Sequence, residues 1–336
     1  MGEHTQQIAD LNKFGQRAAF GVILHRMMKN DPKLVVCVAD TSTSGGLDRC
    51  RRDYPERIIE LGIGEQNLIG VAAGLQAEGW TTIAATFAPF ITLRCLEQLK
   101  IFGGYNKIPL KIVGYASGLA LAELGYTHCG LDDVGVLRAI GSFDVLAPAD
   151  CNALPSLLDI FVSATRPTYL RLTGIAPSPA LYSPGAILGV HNSEKSDELE
   201  FRKYNILKEG DAAVVVTSGT IASSVLSAVN ILSDSDKIEV KVIDLYHLTV
   251  DIPNSLVDEL KDYSKIICVE EHRRRGGIGD FLRDGLSARG GVDARFFHLA
   301  VSDDYKHYNS YSSAVSGNSL DEAGVTNFIR RAINEV

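Results

Sequence analysis

The segment that decides the fold is Glu60-Leu61-Gly62-Ile63-Gly64-Glu65-Gln66-Asn67-Leu68-Ile69-Gly70-Val71-Ala72-Ala73-Gly74-Leu75. It consists of the end of a short strand, a glycine-rich turn, and a helix of small and apolar residues that begins at Glu65. The apolar positions from Leu68 to Leu75 recur at helical spacing, which predicts one buried face. Because Ile63 and Leu68 flank the carboxylate of Glu65, we expect this charge to be buried and to need a partner. Glu65 is either an ordinary first residue that the helix dipole favours or a catalytic group.

Strand-like and helix-like segments alternate along nearly the whole chain. Unbroken apolar runs, such as residues 34–39, predict strands that are buried on both faces of a sheet. The alternation predicts an α/β fold made of two doubly wound domains, with a mostly parallel sheet in the first. Between the two, the pattern gives way to proline, serine, glycine and charged residues. We therefore predict a first domain at residues 1–175, a linker with one hairpin at 176–209, and a smaller second domain at 210–336.

Composition and charge limit the classes of function. The chain has 336 residues, of which 46% are hydrophobic and 22% charged, and this predicts a globular protein of two domains. Its net charge of −8 argues against binding to nucleic acid or to a membrane surface, and the run Arg273-Arg274-Arg275 is too short to reverse this. The N-terminal residues do not resemble a signal peptide, and no stretch is apolar enough to span a bilayer. The six cysteines form no Cys-x-x-Cys pair, which predicts reduced thiols in a cytoplasmic protein.

Several common ligand-binding motifs are absent from the sequence. No Gly-x-Gly-x-x-Gly follows the first strand and no Gly-x-x-x-x-Gly-Lys-Ser/Thr occurs, so dinucleotide and P-loop binding are not supported. There is no Gly-x-Ser-x-Gly elbow. The eight histidines lack His-x-x-x-His spacing, so we expect no metal ligand in this chain. The run Gly276-Gly277-Ile278-Gly279 could be a phosphate loop, but a tight turn into a helix is the favoured interpretation.

Four loops are expected to meet at one edge of the first sheet. They follow predicted strands and comprise residues 40–46, 62–65, 87–90 and 117–130. Ligands of open α/β sheets bind outside the carboxyl ends of the strands, so these loops define a candidate site. Together they supply one carboxylate, two aromatic rings, a loop rich in serine and glycine, and the segment Gly125-Tyr126-Thr127-His128-Cys129-Gly130.

The order of four motifs is similar to that of a known family. Those motifs resemble the pyrimidine-binding domain of transketolase-like thiamine diphosphate enzymes. They are Gly-Ile-Gly-Glu-Gln-Asn (62–67), Ala-Thr-Phe-Ala-Pro-Phe (85–90), Gly-Tyr-Thr-His (125–128) and Val-Leu-Ala-Pro-Ala-Asp (145–150). Val269-Glu270-Glu271-His272 and the Gly-Gly-Ile-Gly turn are similar to the C-terminal domain of the same enzymes. The resemblance covers nearly the whole chain, and it implies a pyrimidine-binding domain followed by the smaller transketolase C-terminal domain.

The resemblance implies a catalytic role for Glu65. In these enzymes the corresponding glutamate hydrogen-bonds N1′ of the aminopyrimidine of thiamine diphosphate, and so assists removal of the proton from C2 of the thiazolium. Phe87 and Phe90 match aromatic positions that pack around the pyrimidine, although either ring could instead belong to the core. His128 matches a position beside the reactive carbon, where it hydrogen-bonds substrate hydroxyls.

Further positions concern the substrate. The resemblance implies that Arg17 and Ser44 hold the phosphate of a sugar, while Asp40, which borders the same loop, has either a cofactor-binding or a structural role. Other positions depart from the family's transketolases. Leu124 stands where they carry an acidic residue, a phosphate-contacting histidine is replaced near Ala116, and the family's late phosphate-binding arginine has no clear match around residues 171–174. The nature of the sugar substrate, phosphorylated or not, is therefore left open.

The diphosphate-binding signature of the family is missing. It begins with Gly-Asp-Gly and ends with paired asparagines that hold the divalent cation, and this chain contains neither. The resemblance therefore implies that this chain binds only the pyrimidine half of thiamine diphosphate, and that a separate subunit holds the diphosphate and Mg²⁺. We expect an α2β2 heterotetramer with its active site at an interface. This chain alone is expected to be inactive.

Three functional hypotheses follow. The first is a subunit of a split transketolase that transfers a two-carbon ketol unit from a ketose to an aldose. The second is a subunit similar to the β subunit of 2-oxo acid dehydrogenases, or a hybrid of the two, which passes an acyl or glycolyl unit to a lipoyl or carrier-protein thiol. Residues 273–275 would then either dock an acidic carrier or, as the favoured interpretation, form a solvated loop. The third is a non-catalytic interaction subunit that keeps the fold. Donor, acceptor and pathway stay open.

Overall fold

A computed structural model describes residues 12, 15–174, 179–184, 186, 190–191, 200–201, 203–304 and 306–335. The strands are β1 (Leu34–Val38), β2 (Ile58–Glu60), β3 (Thr81–Phe87), β4 (Lys111–Tyr115), β5 (Asp144–Leu146), β6 (Thr168–Arg171), β7 (Val190–His191), β8 (Glu200–Phe201), β9 (Asn205–Lys208), β10 (Ala213–Thr217), β11 (Val240–Asp244), β12 (His247–Leu248), β13 (Lys265–Arg273) and β14 (Arg295–Val301). The α-helices are α1 (Gln16–Asn30), α2 (Asp48–Asp53), α3 (Glu65–Ala77), α4 (Leu96–Leu99), α5 (Asp133–Ile140), α6 (Leu154–Ser163), α7 (Ala222–Asp236), α8 (Asn254–Leu260), α9 (Ile278–Ser287), α10 (Tyr311–Gly317) and α11 (Glu322–Asn334). Helix and strand alternate as predicted.

The larger sheet has seven strands in the order β12-β5-β6-β4-β3-β1-β2. Its neighbouring strands pair in parallel except β12 and β5, which are antiparallel. The apolar run of β1 explains why both faces are covered. Val36 and Val38 contribute to the core cluster beneath α1 and α6, whereas Cys37 contributes to the cluster beneath α3. This alternation along one strand places a helical layer on each face of the sheet.

The smaller sheet has five strands in the order β14-β13-β10-β11-β9. Its strands pair in parallel except β9 and β11. A mostly parallel α/β sheet followed by a second, smaller one confirms the predicted fold class. Within the described residues, no helix combines the length and the apolar character needed to cross a membrane. All six cysteines are described, and each is buried and free of a disulfide.

The sequence does not predict how closely the two halves are joined. Strand β12 comes from the second half, yet His247 and Leu248 pair with Leu146 and Val145 of β5. The second half therefore supplies an edge strand of the first sheet. Strands β7 and β8 pair antiparallel and form the hairpin predicted in the linker. The domain boundaries at 175 and 210 stay a prediction. The helix predicted at 10–31 begins at Gln16 in the structure, and residues 10, 11, 13 and 14 of the prediction, including Phe14, lie outside the described residues.

A buried carboxylate lies where the linker meets the second half. Asp244, at the end of β11, is fully buried, and its Oδ2 accepts a hydrogen bond of 2.6 Å from the hydroxyl of Tyr182. The backbone N–H of Tyr182 donates to Asp150 of the first half at 2.9 Å. Burial raises the pKa of Asp244 to about 7, the hydrogen bond from Tyr182 opposes this, and the charge of Asp150 adds to it. The segment around Tyr182 is thus held between two acidic groups from different halves.

We expect the stability conferred by Asp244 to depend on pH. Its pKa in the folded chain, about 7, lies above the ordinary value of 3.8. The stabilisation is therefore complete below about pH 4 and is lost as the pH rises through 7, by on the order of 1 kcal/mol per pH unit. Urea unfolding of wild type and Asp244→Asn at pH 5, 6, 7 and 8 measures this, because asparagine stays neutral throughout. The variant should gain stability relative to wild type as the pH rises; a constant difference would contradict this.

Candidate active site

The candidate site lies at the carboxyl edge of the larger sheet. Strands β2, β1, β3 and β4 are consecutive neighbours and run in parallel, so the loops that follow them meet at one edge. The backbone also ties two of these loops together. The carboxylate of Glu60 accepts hydrogen bonds from the N–H groups of Asp40, at 2.6 Å, and Gly62, at 3.2 Å. The four predicted loops therefore do converge.

Glu65 begins α3 and is 3% exposed. Leu68, Ile69, Ala72 and Ala73 form the buried face of this helix and bring its first turn against the sheet. The expectation that Ile63 would shield the carboxylate is wrong, because Ile63 is 76% exposed. Burial comes instead from the helix side and from a partner that we did not predict from the sequence.

That partner is Arg94. Its Nη1 lies 2.5 Å from Oε1 of Glu65, and its guanidinium centre lies 4.2 Å from the centroid of the Phe90 ring. Arg94 ends a π-helical turn, Phe90–Arg94, and its backbone carbonyl accepts a hydrogen bond of 3.2 Å from Gln66. Two signals in the sequence could have found it. A buried carboxylate requires a positive charge, and Arg94 follows Phe90 by about one helical turn.

Phe87, Phe90 and His128 form one aromatic group. The ring centroids of Phe90 and His128 are 5.2 Å apart, those of Phe87 and Phe90 are 6.1 Å apart, and those of Phe87 and His128 are 6.5 Å apart. All three pairs meet edge to face, a favourable geometry for aromatic rings. Each ring is partly exposed. Contacts therefore run without interruption from Glu65 through Arg94 and Phe90 to His128.

A cleft of about 430 Å³ opens beside Glu65 and is lined by residues 63–67 and Arg94. Oε1 of Glu65 is taken by Arg94, and among the described residues Oε2 has no protein donor. The imidazole Nδ1 of His128 lies 3.0 Å from the hydroxyl of Thr127. The cleft thus presents one carboxylate oxygen, and the two aromatic rings and the imidazole are connected to that carboxylate through Arg94.

Arg17, Ser44 and Asp40 lie at the same edge of the sheet but outside this contact group. Nη1 of Arg17 donates to the backbone carbonyl of Ser44 at 3.1 Å, so the structure brings these two predicted residues together. The loop packs closely on α1, since a Cβ at Gly46 (φ 73°) would lie 2.7 Å from the carbonyl oxygen of Arg17. Asp40 is exposed, with a left-handed φ of 54°. Within the described part of the chain, no hydrogen bond, ion pair or ring contact joins these three side chains to Glu65.

Two family models match the chain. The model for the transketolase pyrimidine-binding domain matches residues 12–176, and the model for the transketolase C-terminal domain matches residues 202–317. The chain belongs to the transketolase family. This confirms the resemblance seen in the sequence, and the family implies the use of thiamine diphosphate.

Relatives of this transketolase-family chain include subunits of split enzymes. It is 29% identical over 265 residues to a subunit of the apulose-4-phosphate transketolase of Actinobacillus succinogenes, covering 78% of this chain and 80% of the relative. It is 26% identical over 289 residues to a putative transketolase C-terminal section of Methanocaldococcus jannaschii, covering 86% and 87%. A solved split-gene transketolase, described as an inactive β4 tetramer, superposes with a TM-score of 0.81 at 27% identity and covers 95% of this chain and 98% of its own.

Transketolase from Leishmania mexicana shares the fold, with a TM-score of 0.75 at 17% identity. The match covers 95% of this chain but only 45% of that enzyme. The transketolase-family chain described here is thus similar to a split transketolase subunit and corresponds in fold to about half of a full-length transketolase.

The structure places the positions that depart from the family. Ala116 is fully buried at the end of β4, with a left-handed φ of 50°, and offers only a methyl group. Leu124 is 56% exposed and presents an apolar surface. Arg171 is buried, and its Nε donates to Asp133 at 2.9 Å. These contacts leave Arg171 committed to the interior of the transketolase fold and not to a substrate phosphate.

The Gly276–Gly279 run is a turn into α9 and not a phosphate loop. The N–H groups of Ile278 and Gly279, at the start of this helix, donate to the carboxylate of Glu270 at 2.8 and 3.1 Å. Glu270 also pairs with Nε2 of His298 at 2.5 Å, and Cys268 lies beside them. These three buried residues have the composition of a metal site, but protein donors already occupy the carboxylate. A Cβ at Gly279 would lie 2.2 Å from the imidazole, so the group is tightly packed.

Proposed function

We propose that this chain is the pyrimidine-binding subunit of a split transketolase, which transfers a two-carbon ketol unit from a ketose or ketose phosphate to an aldose. The observation that carries the proposal is the buried carboxylate of Glu65 at the end of an unbroken set of contacts with Phe90 and His128. A buried carboxylate that lines a cleft and is linked to aromatic rings through Arg94 is a favourable setting for proton transfer to a planar heterocycle.

The residues present fit the aminopyrimidine half of thiamine diphosphate. Phe87 and Phe90 offer ring faces or edges against which a planar heterocycle packs. The cleft beside Glu65 is open, and Oε2 of this residue is left for a ring nitrogen. When bound, thiamine diphosphate supplies the carbon nucleophile that takes up the ketol unit. Asp40, if it has a cofactor role, acts from the rim, because its side chain is exposed.

Glu65 would hold and exchange one proton at its carboxylate. Its 3% exposure excludes water from this exchange, and Arg94 fixes the orientation of the carboxylate by holding Oε1. A fixed and desolvated acid–base group lowers the barrier of proton transfer because little reorganisation is needed. Arg94 would therefore be a positioning residue for Glu65.

His128 would orient the substrate. Because Thr127 engages Nδ1, Nε2 is the ring nitrogen left for a substrate hydroxyl. Arg17 and Ser44 would bind a phosphate, or a hydroxyl in its place, at the far end of the sugar. Ser44 is exposed, and Arg17 is only partly buried, so both are accessible to a ligand.

A second, different subunit would complete the site. The chain lacks the Gly-Asp-Gly and paired-asparagine signature, so the diphosphate and Mg²⁺ would be held by that partner in an α2β2 assembly. Four exposed apolar side chains on the loops around the site support this: Ile63, Leu93, Leu124 and Tyr126, which are 45–76% exposed. Large apolar side chains exposed on loops near a candidate site indicate a surface that another protein chain covers.

Reconstitution tests the proposal. This chain is mixed with a subunit that carries the diphosphate signature, thiamine diphosphate and Mg²⁺, and ketol transfer to an aldose is measured. Donors are an unphosphorylated ketose and apulose 4-phosphate, the sugar phosphate in the names of two relatives. We expect transfer in the mixture and none from either chain alone, because each would hold only part of the cofactor. Transfer to a lipoyl or carrier-protein thiol would support the acyl-transfer hypothesis instead. Cofactor binding without turnover on any donor would support a non-catalytic subunit.

A further inference from the structure

The loop that carries His128 contains only short turns between its two ends, among them the 3₁₀ turns Ala122–Leu124 and Tyr126–His128. Its two ends meet in a short antiparallel bridge, where the N–H of Gly118 donates to the carbonyl of Gly130 at 2.9 Å. His128 lies in a single 3₁₀ turn, Tyr126–His128, near the far end. One such turn has weak hydrogen-bond geometry, so contacts from other elements add to its support.

The end of β13, in the C-terminal half, contacts this loop at three points. The carboxylate of Glu271 accepts a hydrogen bond from the N–H of Leu119 at 2.7 Å, near one end. The N–H of Arg273 donates to the carbonyl of Leu131 at 3.1 Å, at the other end. The guanidinium of Arg273 donates to the hydroxyl of Tyr126 at 2.6 Å, within the turn of His128. The C-terminal half therefore holds both ends of the loop and its 3₁₀ turn.

Arg273 is itself anchored from both halves of the chain. Its Nε lies 3.0 Å from Asp132 in an ion pair, and its Nη1 donates to Asp303 at 3.1 Å. The guanidinium centre lies 5.2 Å from the Tyr126 ring, and the side chain is only 15% exposed. A planar guanidinium held by two carboxylates has its remaining N–H groups fixed in direction. It can therefore fix the hydroxyl of Tyr126.

Glu271 is equally fixed. It is 2% exposed, and its second oxygen accepts a hydrogen bond from Tyr311 of α10 at 2.8 Å. Gly118 (φ 68°) is the residue that this contact requires, because a Cβ there would lie 2.3 Å from Oε1 of Glu271. Loop and strand end are thus closely matched in shape.

We propose that residues 271–273 form a clamp that positions His128 for the reaction, with Arg273 as the positioning residue closest to it. The part that concerns His128 rests on the proposed function. The three arginines of the run 273–275 then have different roles. Arg273 belongs to the clamp, whereas Arg274 and Arg275 are exposed. The C-terminal half would thus contribute to catalysis by positioning His128. Arg273 would not be available to dock an acidic carrier.

Activity of the assembled enzyme tests the positioning role. Arg273→Ala should lower kcat/KM by about 10-fold to 10²-fold, because a small misplacement of an orienting group has effects of that size. Arg273→Lys should keep only part of the wild-type kcat/KM, since an ammonium lacks the planar group that contacts two carboxylates and Tyr126 together. Tyr126→Phe removes only the hydroxyl and should have a smaller effect in the same direction. Arg274→Ala, an exposed neighbour with the same change of charge, should have none.

A double-mutant cycle separates positioning from general damage. If Arg273 acts through His128, then Arg273→Ala has no further effect in a His128→Ala background. If each substitution lowered kcat/KM independently, so that the two fold-losses multiplied in the double variant, the proposal would be overturned. Full activity of Arg273→Ala would also overturn it.

Hydrogen–deuterium exchange of the chain tests the clamp without reference to activity. Arg273→Ala and Tyr126→Phe should speed exchange in peptides that cover residues 119–131, and Arg274→Ala should not. Unchanged exchange in both variants would overturn the clamp. If wild type showed no ketol transfer in any mixture, the proposed function would fail, while the exchange result would still decide whether the clamp exists.

Discussion

Replacing Glu65 by glutamine is expected to lower ketol transfer by the assembled enzyme at least about 10²-fold, the usual effect of removing a general acid–base group. Glutamine has nearly the shape of glutamate and can still accept a hydrogen bond from Arg94, but it cannot hold or release the proton. The measurement is kcat and kcat/KM for wild type and Glu65→Gln in the reconstituted assembly. Both should fall by a similar factor, because the lost interaction belongs to the chemical step.

The design of this test depends on Arg94. Glu65→Gln leaves the guanidinium without its carboxylate, but the Arg94 side chain is 46% exposed, so solvent screens the unpaired charge and the fold should be kept. Glu78→Gln is the matched control, since Glu78 is exposed and directly follows the same helix. Full activity of Glu65→Gln would refute the role of Glu65. An equal loss in Glu78→Gln would point to damage of the helix and not of the chemistry.

The fold was predictable because long elements carry their pattern locally. Unbroken apolar runs mark the buried strands, such as β1 and β10, and both lie inside their sheets. Short elements were missed for the same reason. Strand β12 has two residues, His247 and Leu248, and two residues show no period. Its pairing with β5 is a contact across a hundred positions, which local pattern does not encode.

The candidate site was predictable in its parts and not in its contacts. Family motifs point to Glu65, Phe87, Phe90 and His128, and the structure brings them into one group. The sequence left open whether Phe90 is only core, and the 5.2 Å separation of its ring from His128 places it in this group. Arg94 was missed because its role depends on the charge of a residue 29 positions earlier. The sequence signals that a partner is needed, but only the fold shows which positive charge lies beside Glu65.

The strongest structural prediction concerns the buried ion pair that supports the loop of His128 from inside. Asp133 is 0% and Arg171 6% exposed at their side chains, and their closest atoms are 2.9 Å apart. Tyr169 also donates to Asp133, and Nη2 of Arg171 donates to the carbonyls of Gly130 and Glu271, at 3.2 and 3.0 Å. Arg171 thus joins both halves of the chain at one end of that loop. Removing either charge leaves the other buried without its closest charged partner.

We expect Asp133→Asn to lower the free energy of unfolding by about 3–5 kcal/mol, the usual effect of breaking a buried pair. Urea unfolding at constant pH measures this. The double variant Asp133→Asn/Arg171→Met should lose less unfolding free energy than the two single variants lose together, since neither charge is then left without its partner. The difference between the summed single losses and the double loss should be at least about 0.5 kcal/mol. The control is Asp258→Asn. Asp258 pairs with Lys261 at 2.8 Å, a shorter distance, but the two side chains are 67% and 53% exposed. Asp258→Asn should lower the free energy of unfolding by no more than about 1 kcal/mol, because water screens that pair. If the two aspartate variants lost equal stability, burial could not be what makes the Asp133–Arg171 pair strong.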